Sequence, residues 1–250
     1  MYNKTSQMKL DELENHEFLK TLLNDAIEIS KDRDIDIFEV EILDANFSEY
    51  EFYIHKTGFY FFHLIQLCYQ LEYGIELLSN FNYSKKSKVT RDQHLTYNVE
   101  NYIIRLSSIN DRLLQLVNAV FHLCIDEKNV NDRIVLTNLK VSRTNFEKLF
   151  KQFKNSNTKY IGERNTIIHK HSYLEKKLRK IHVLYESNFL DKYNNMNLEL
   201  TKDLRKDVLT KYIKETKSEF SKINSNCFSN LIPIFDFLQV EYGKMKVKLK

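Results

Sequence analysis

The sequence predicts an all-α protein, an up-and-down bundle of long helices with an additional helical segment at its C-terminal end. Four Gly and one Pro among 250 residues leave few places for turns, whereas a β-sandwich or barrel needs a turn about every 8–12 residues. Apolar residues instead recur every three or four positions over long stretches, which is the period of an amphipathic helix. The glycines stand far apart, which excludes phosphate-cradling loops of the Walker and Rossmann kinds.

The N-terminal part, 1–48, is predicted to hold one acidic helix and an extended link. Apolar side chains follow a helical period over residues 7–31. Residues 35–42 partly alternate between apolar and charged types, which favours a short strand or an extended connection.

Two long helices are predicted next. Residues 49–81 are rich in Phe and Tyr at spacings that indicate a core helix buried on most sides, and the polar residues 82–92 predict a loop. A helix over 93–124 has apolar residues at every third or fourth position. It also carries a polar stripe, either a solvated outer face or the border of a site, formed by Asn101, Arg105, Ser108 and Arg112.

A shorter helix follows a predicted loop at 126–131. Ser142 or Thr144 is predicted to cap this helix, which extends through Phe153, and Glu147 can supply the reciprocal contact of a capping box. The polar residues 155–158 then break the pattern.

The last third of the chain is predicted to be helical as well. A basic helix is expected over 174–189. The final helix is expected to begin near Thr201, to be interrupted at 224–226, to be stiffened or kinked at Pro233 and to fray over 244–250.

Charge is distributed unevenly although the net charge is only +4. Residues 1–60 hold 6 Lys and Arg against 14 Asp and Glu, a net −8, whereas residues 140–180 hold 12 against 3, a net +9. This asymmetry indicates that one face attracts a polyanion while the acidic part covers another surface. A lysine-rich solvated helical surface is the alternative.

Cysteine usage and the N-terminus predict the compartment. Cys68, Cys124 and Cys227 are odd in number and lie in apolar surroundings, so we expect core thiols in a reducing compartment. No signal peptide is evident at the N-terminus and charges interrupt every apolar run. We therefore expect a cytoplasmic protein with no membrane partner.

The chemically informative stretch is 161–173, IGERNTIIHKHSY. Its Arg-Asn-x-x-x-His string, formed by Arg164, Asn165 and His169, resembles the signature of the HEPN superfamily. The resemblance implies an HEPN-like helical domain over 49–190 that acts as a metal-independent ribonuclease and pairs two motifs across a homodimer. A variant of the family pattern also fits Arg164, His171 and Tyr173, so the sequence leaves open which histidine belongs to the motif.

RNA cleavage without a metal suits these residue types. It needs a base for the 2′-hydroxyl proton, a cation on the phosphate and an acid for the leaving oxygen. His169 is the candidate acid or base, Arg164 the phosphate-binding cation, and Asn165 can hold the imidazole or contact phosphate. On a straight helix Arg164 and His169 diverge by about 140°, whereas His171 lies about 340° from Arg164 and is a second contributor if the helix continues that far.

Other residues are expected to have weaker roles. Glu163, Arg105, Asp111 and Tyr173 are assigned to supporting positions around the motif, and a plain surface role is the alternative for Arg105 and Asp111. No metal or cofactor is expected, because no Cys-x-x-Cys, His-Glu-x-x-His or calcium-loop pattern occurs. A surface histidine pair at a helix end, favoured by the helix dipole, is the alternative for His169 and His171.

The prediction that follows is an endoribonuclease in three parts: 1–48, the HEPN-like domain 49–190 and a C-terminal extension 191–250. The expected partners are RNA and a second copy bound through the motif helices. The resemblance further implies a toxin–antitoxin or phage-defence setting, with an antitoxin or a nucleotidyltransferase as a partner. The alternatives are a non-catalytic helical module that binds RNA, a nucleotide or a protein, and a scaffold that packs a partner on its aromatic-rich segment.

Overall fold

Every regular element in the described part of the chain is helical, which confirms the predicted class. The computed structural model describes residues 3–33, 46–81, 89–156, 158–173, 175–185 and 198–250. The helices are α1 Asn3–Glu14, α2 Glu17–Arg33, α3 Glu49–Leu77, α4 Arg91–Val120, α5 Asp132–Thr137, α6 Leu139–Ser142, α7 Phe146–Ser156, α8 Ile161–His169, α9 Lys176–Tyr185 and α10 Leu198–Leu249. Short 3-10 turns occupy Glu127–Asn129 and Thr158–Tyr160.

The helices α3 and α4 form an antiparallel pair at the centre of the fold. At one end the Tyr53 hydroxyl donates to the carbonyl of Val120 at 2.8 Å, and at the other the His94 ring lies 3.1 Å from the carbonyl of Leu77. Gly74 permits the close approach between them, because a Cβ there would lie 3.1 Å from the Tyr102 ring.

The 52-residue helix α10 runs along this pair. Tyr242 stacks on Tyr53 with ring centroids 5.4 Å apart, and Phe220 stacks on Tyr102 at 3.6 Å. The helices α1 and α2 pack against α10 and α3. Buried residues from all three predicted parts of the chain join one hydrophobic cluster; the division at 48 and 190 stays a prediction.

A buried polar network explains why α10 is continuous through 224–226, where we predicted an interruption. Asn224 is fully buried and its amide donates to Glu72 at 2.8 Å. The Tyr102 hydroxyl donates to the Asn224 side-chain oxygen at 2.9 Å, and the Ser6 hydroxyl donates to Glu72 at 3.3 Å. The polar side chain is therefore satisfied inside the bundle, so it does not need to end the helix.

The N-terminal helix predicted over 7–31 is two helices, because the chain turns at Asn15 and His16. The His16 ring nitrogen Nδ1 accepts the backbone N–H of Phe18 at 3.1 Å, as a capping side chain does at the start of a helix. The other ring nitrogen lies 3.2 Å from Asp236 on α10.

The helix predicted over 93–124 ends earlier than expected, since α4 ends at Val120. His122 has a φ of 47°, and the N–H groups of His122 and Leu123 donate to Ala119 and Asn118 at 2.9 and 3.0 Å. This is a Schellman motif with histidine in the position that glycine usually takes. Cys124 lies beyond it and is exposed, in contrast to the predicted core thiol, whereas the other two cysteines are buried.

The C-terminal tail is helical to Leu249 and does not fray as predicted. Lys246 lies 2.5 Å from the buried carboxylate of Asp25, which also accepts the hydroxyl proton of Tyr242 at 2.7 Å. These contacts tie the last turns of α10 to α2. Pro233 lies inside α10, which continues past it, and the predicted stiffening or kink there stays a prediction.

The helix α3 carries twelve buried residues, in line with the predicted burial on most sides, and it exposes one face. Phe59, Phe62 and Tyr73 expose 45%, 57% and 52% of their surfaces there. The helix also ends at Leu77 rather than at residue 81.

The capping prediction for the helix through Phe153 is met by one of the two candidates. The Thr144 hydroxyl accepts the N–H of Phe146 at 3.2 Å, where α7 begins, whereas Ser142 ends α6. Glu147 pairs with Lys151 at 2.6 Å instead of closing a capping box.

Some expectations lie outside the described residues: the strand at 35–42, most of the loop at 82–92, and both ends of the basic helix at 174–189, of which α9 is the described portion. Within the described residues, no helix is long and apolar enough to cross a membrane.

Candidate functional site

The helix α8 carries the motif and is fixed at its start by Tyr160. The Tyr160 side chain is buried; its hydroxyl donates to Glu219 and its ring meets the ring of Phe220 edge-on at 6.2 Å. The helix then packs against α4. This packing turns the side of α8 that carries Arg164 toward α4.

Arg164 and Asn165 line a cavity of about 220 Å³ between α4, α5, α7 and α8, which we call the Arg164 cavity. Its remaining lining residues are Ser107, Asn110, Asp111, Leu114, Asn131, Asp132, Phe150 and Lys154. Two motif residues and one expected supporting residue, Asp111, thus lie together.

One donor of the Arg164 guanidinium has no protein acceptor. The Nε–H group is buried and donates to no acceptor among the described residues, and the negative charge of Asp111 lies nearby. A buried donor without an acceptor is costly. An anion in the cavity would satisfy it.

Two carboxylates, Asp111 and Asp132, lie beside the two cationic side chains of the cavity. Asp132 accepts a hydrogen bond from Lys154 at 2.8 Å, and this lysine lowers the pKa of that carboxyl. Surrounding protein raises the pKa of Asp111, although its side chain reaches solvent, and the nearby charge of Arg164 partly opposes the increase. The cavity therefore contains two cations, of which Lys154 is neutralised by Asp132.

His169 does not line the Arg164 cavity. It is the last residue of α8 and is exposed, as expected from the divergence of about 140° from Arg164 along the helix. The exposed face of α8 also carries Gly162, Asn165 and Ile168.

His171 lies beyond the helix, so the argument that places it on the face of Arg164 does not apply. The N–H groups of Lys170 and His171 both donate to the carbonyl of Thr166, at 2.9 and 3.0 Å, and close the helix. The His171 ring is exposed, and its Nδ1 lies 2.9 Å from the carbonyl of Ser172.

The other expected supporting residues are placed elsewhere. Arg105 donates to Gln70 of α3 at 3.1 Å and faces away from the cavity. The backbone N–H of Tyr173 donates to Glu100 at 2.6 Å, and burial, followed by nearby carboxylates that include Glu163, raises the pKa of Tyr173 to about 12. Glu163 is half-exposed and does not line the Arg164 cavity.

Apart from Arg164, Asn165 and Asp111, the residues that line the cavity were not predicted from the sequence. None of the cavity lining comes from the polar stripe that the sequence indicates on α4, formed by Asn101, Arg105, Ser108 and Arg112. A second stripe on the same helix lines the cavity and is formed by Ser107, Asn110, Asp111 and Leu114. Their spacing of three and four residues, which places them on one side of a helix, is the sequence pattern that could have identified them. No sequence pattern indicated the remaining polar residues, which come from the start of α5 and from α7: Asn131, Asp132 and Lys154.

Within the described residues, no group of three or more His, Cys, Asp or Glu side chains is arranged to hold a metal ion. The Arg164 cavity combines the unpaired donor of Arg164 with side-chain amides that can also donate, beside two carboxylates. This is chemistry for binding an anion.

A family model described as Cthe2314-like HEPN matches residues 2–237 of the chain. No curated protein and no solved structure matches it.

Proposed function

Because the chain belongs to the Cthe2314-like HEPN family, we propose that it is a metal-independent endoribonuclease whose Arg164 cavity binds the scissile phosphodiester. The observation that carries this proposal is the buried Arg164 Nε, which has no hydrogen-bond partner among the described residues. A guanidinium fits phosphate oxygens with paired donors. The cavity of about 220 Å³ is large enough for a phosphate group and smaller than most small-molecule pockets.

The proposed reaction uses the RNA's own 2′-hydroxyl as nucleophile. A neutral imidazole accepts the 2′-hydroxyl proton, and the 2′-oxygen forms a bond to the adjacent phosphorus. The bond from phosphorus to the 5′-oxygen breaks, and that oxygen takes a proton from an acid. The products are a 2′,3′-cyclic phosphate and a 5′-hydroxyl. Arg164 stabilises the charge that builds on the phosphate oxygens, and Asn165 can donate to one of them.

A second copy of the chain supplies the imidazole in this proposal. Arg164 faces α4, whereas His169 is exposed on the opposite part of α8. A homodimer through the exposed faces of two α8 helices brings the partner's His169 toward the Arg164 cavity. Each cavity then has one imidazole, which accepts the 2′-hydroxyl proton and, as the imidazolium, can give a proton to the leaving 5′-oxygen.

The basic segment 140–180 supports RNA binding in this scheme. It forms α6 to α8 and the first half of α9, and Lys148, Lys170 and Lys176 are exposed on it. Such lysines give sequence-independent affinity that weakens as salt rises. The acidic α1 and α2 pack elsewhere, on α10 and α3.

The resemblance also suggests a regulatory partner, an antitoxin or a nucleotidyltransferase, in a toxin–antitoxin or phage-defence system. A non-catalytic module that binds RNA is the second candidate. The observation that favours it is the exposure of both His169 and His171 outside the Arg164 cavity.

Incubation with total RNA in the presence of EDTA tests the proposal. Arg164→Ala is expected to lower the cleavage rate about 10²–10³-fold, since it removes the main stabiliser of the transition-state charge. His169→Ala is expected to lower it by about 10²–10⁴-fold and to leave RNA binding intact. Arg133→Ala, which removes an exposed arginine of α5 outside the cavity, is the matched control.

The outcomes separate the two candidates. Wild-type protein that binds RNA but leaves it intact, both with EDTA and with added divalent metal, establishes the binding module. Loss of cleavage in His171→Ala but not in His169→Ala assigns the motif histidine to His171. Cleavage that depends on added metal would refute the metal-independent mechanism.

A further inference from the structure

A second cavity of about 390 Å³ opens between the first half of α4, α9 and residues 172–173. We call it the Asp92 cavity. Its volume lies within the range of small-ligand sites, about 300–1,000 Å³. None of its residues is used in the reaction proposed above.

Asp92 has one oxygen that the protein does not use. The residue is 3% exposed, and one carboxylate oxygen lies 2.6 Å from His182 Nδ1. The other oxygen, Oδ1, is buried and has no hydrogen-bond partner among the described residues. If the contact with His182 served only to join α9 to α4, it would explain the position of Oδ2. It would leave Oδ1 buried without a hydrogen bond, at a cost in free energy. A ligand that donates a hydrogen bond would satisfy it.

The lining of the Asp92 cavity fits a nucleobase better than a phosphate. The unpaired buried atom of this cavity is an acceptor, Asp92 Oδ1, which needs a donor, whereas the unpaired buried atom of the Arg164 cavity is a donor, Arg164 Nε. Tyr97 at the rim exposes 68% of its surface, which provides a face on which a base can stack. Arg179 and His182 lie at the same cavity and can meet the adjoining phosphate.

Both cavities lie on one face of α4. Thr96 lines the Asp92 cavity and Asn110 lines the Arg164 cavity. Fourteen residues separate them, which corresponds to about 21 Å along the helix and about 40° around it. A single strand that follows this face would therefore reach both cavities, a few nucleotides apart.

We propose that the Asp92 cavity binds a nucleobase with an exocyclic amine, from the same RNA strand whose phosphodiester lies in the Arg164 cavity. This inference rests on the proposed function. The amine of adenine, cytosine or guanine donates to Asp92 Oδ1, as cytosine N4 does to acidic side chains elsewhere. Uracil has no exocyclic amine: its O4 stands where cytosine has N4, and only its ring N3–H can donate, so it is disfavoured at a site that takes the amine. Splayed bases that stack on tyrosine and are read on their Watson–Crick edges are common in RNA recognition.

The test measures binding of fluorescent 2′-O-methyl hexanucleotides, which lack the nucleophile and cannot be cleaved. Wild-type protein is expected to bind oligo-A and oligo-C about tenfold more tightly than oligo-U. Asp92→Asn is expected to reduce this preference to about twofold, because the amide can present a donor to uracil. Asp236→Asn is the control outside the cavity, since it makes the same substitution in another Asp–His contact, although the Asp236 side chain is exposed.

Tyr97 provides a second test that does not depend on a buried residue. Tyr97→Ala is expected to weaken binding of all three oligonucleotides about tenfold, and Tyr97→Phe is expected to restore it because the stacking face remains. Tyr73→Ala, which removes an exposed tyrosine of α3, should change nothing. Thermal melting of each variant shows whether the fold is kept.

The results distinguish failure of this inference from failure of the proposed function. A base preference that Asp92→Asn removes supports the inference even if the wild-type protein cleaves no RNA. Cleavage by a protein that binds oligo-U as tightly as oligo-A and oligo-C overturns the inference and leaves the function standing. Absence of binding to all three oligonucleotides also overturns it.

Discussion

Gly162 offers a direct test of the proposed dimer, because a large side chain there changes the surface of α8 without disturbing its packing. Gly162 lies on the exposed face of α8. It is within about 60° of Asn165 and His169 around the helix. A Cβ built at this position meets no atom within 4 Å. Gly162→Trp therefore places an indole on the face that the partner is proposed to cover.

The expected effect on the isolated subunit is small. Replacement of a glycine in a helix by a residue with better propensity stabilises by at most about 1 kcal/mol, which is about 2–4 °C in melting temperature for a chain of this size. The effect on association is expected to be large. Packed helices approach to about 8–10 Å between axes, and an indole cannot fit into a contact that a hydrogen atom occupied.

Sedimentation and RNA cleavage are measured on the same samples. Gly162→Trp is expected to be monomeric, to melt within a few degrees of the wild type and to lose cleavage, whereas Gly162→Ala stays dimeric and active. Gly243→Trp is the matched control, because Gly243 is an exposed helical glycine of α10 that also has open space around it. A Gly162→Trp protein that is dimeric and fully active would refute a dimer through this face of α8.

Two further predictions concern the buried network. Asn224→Ala is expected to lower the free energy of unfolding by about 3 kcal/mol, because the hydrogen bond from its amide to Glu72 is lost and the Tyr102 hydroxyl loses an acceptor. Asn230→Ala on the exposed side of α10 is the control and should change the free energy of unfolding by less than about 0.5 kcal/mol. Similar urea midpoints for the two variants would contradict a stabilising role of the network. Burial raises the pKa of Glu72 from 4.5, so its stabilising contribution is full below pH 4.5 and is lost as pH rises through the raised pKa. Glu72→Gln should therefore gain stability relative to wild type between pH 4.5 and 8 in urea titrations, and a constant difference across that range would exclude this linkage.

The fold class could be predicted from the sequence because it depends on composition and periodicity. Few glycines and one proline, together with long helical periods, determine it. The boundaries could not be predicted where a tertiary partner changes the local preference. Asn224 was interpreted as a helix breaker because its burial partners, Glu72 and Tyr102, lie more than a hundred residues away in sequence. His122 ends α4 in a left-handed conformation that no glycine signals.

Only those residues of the candidate site that lie close together on one helix could be predicted from the sequence. The motif identifies Arg164 and Asn165 by their adjacency in sequence, and both line the same cavity. Lys154 and Asp132 lie on α7 and α5, and their pairing at 2.8 Å depends on how those helices pack. The role of each motif residue stays a prediction until the variants above are assayed.

The geometry of α8 makes a single copy of the chain insufficient for the proposed chemistry. A five-residue spacing between Arg164 and His169 forces a large angle between them on any regular α-helix, and α8 is regular over both residues. One side chain can then line the cavity against α4 only if the other faces solvent. Bending the helix would lose backbone hydrogen bonds, whereas pairing two copies brings a guanidinium and an imidazole together at no such cost. Because of this spacing, we expect an activity that depends on protein concentration. Activity that is first-order in protein down to concentrations where the chain is monomeric would disprove the two-copy arrangement.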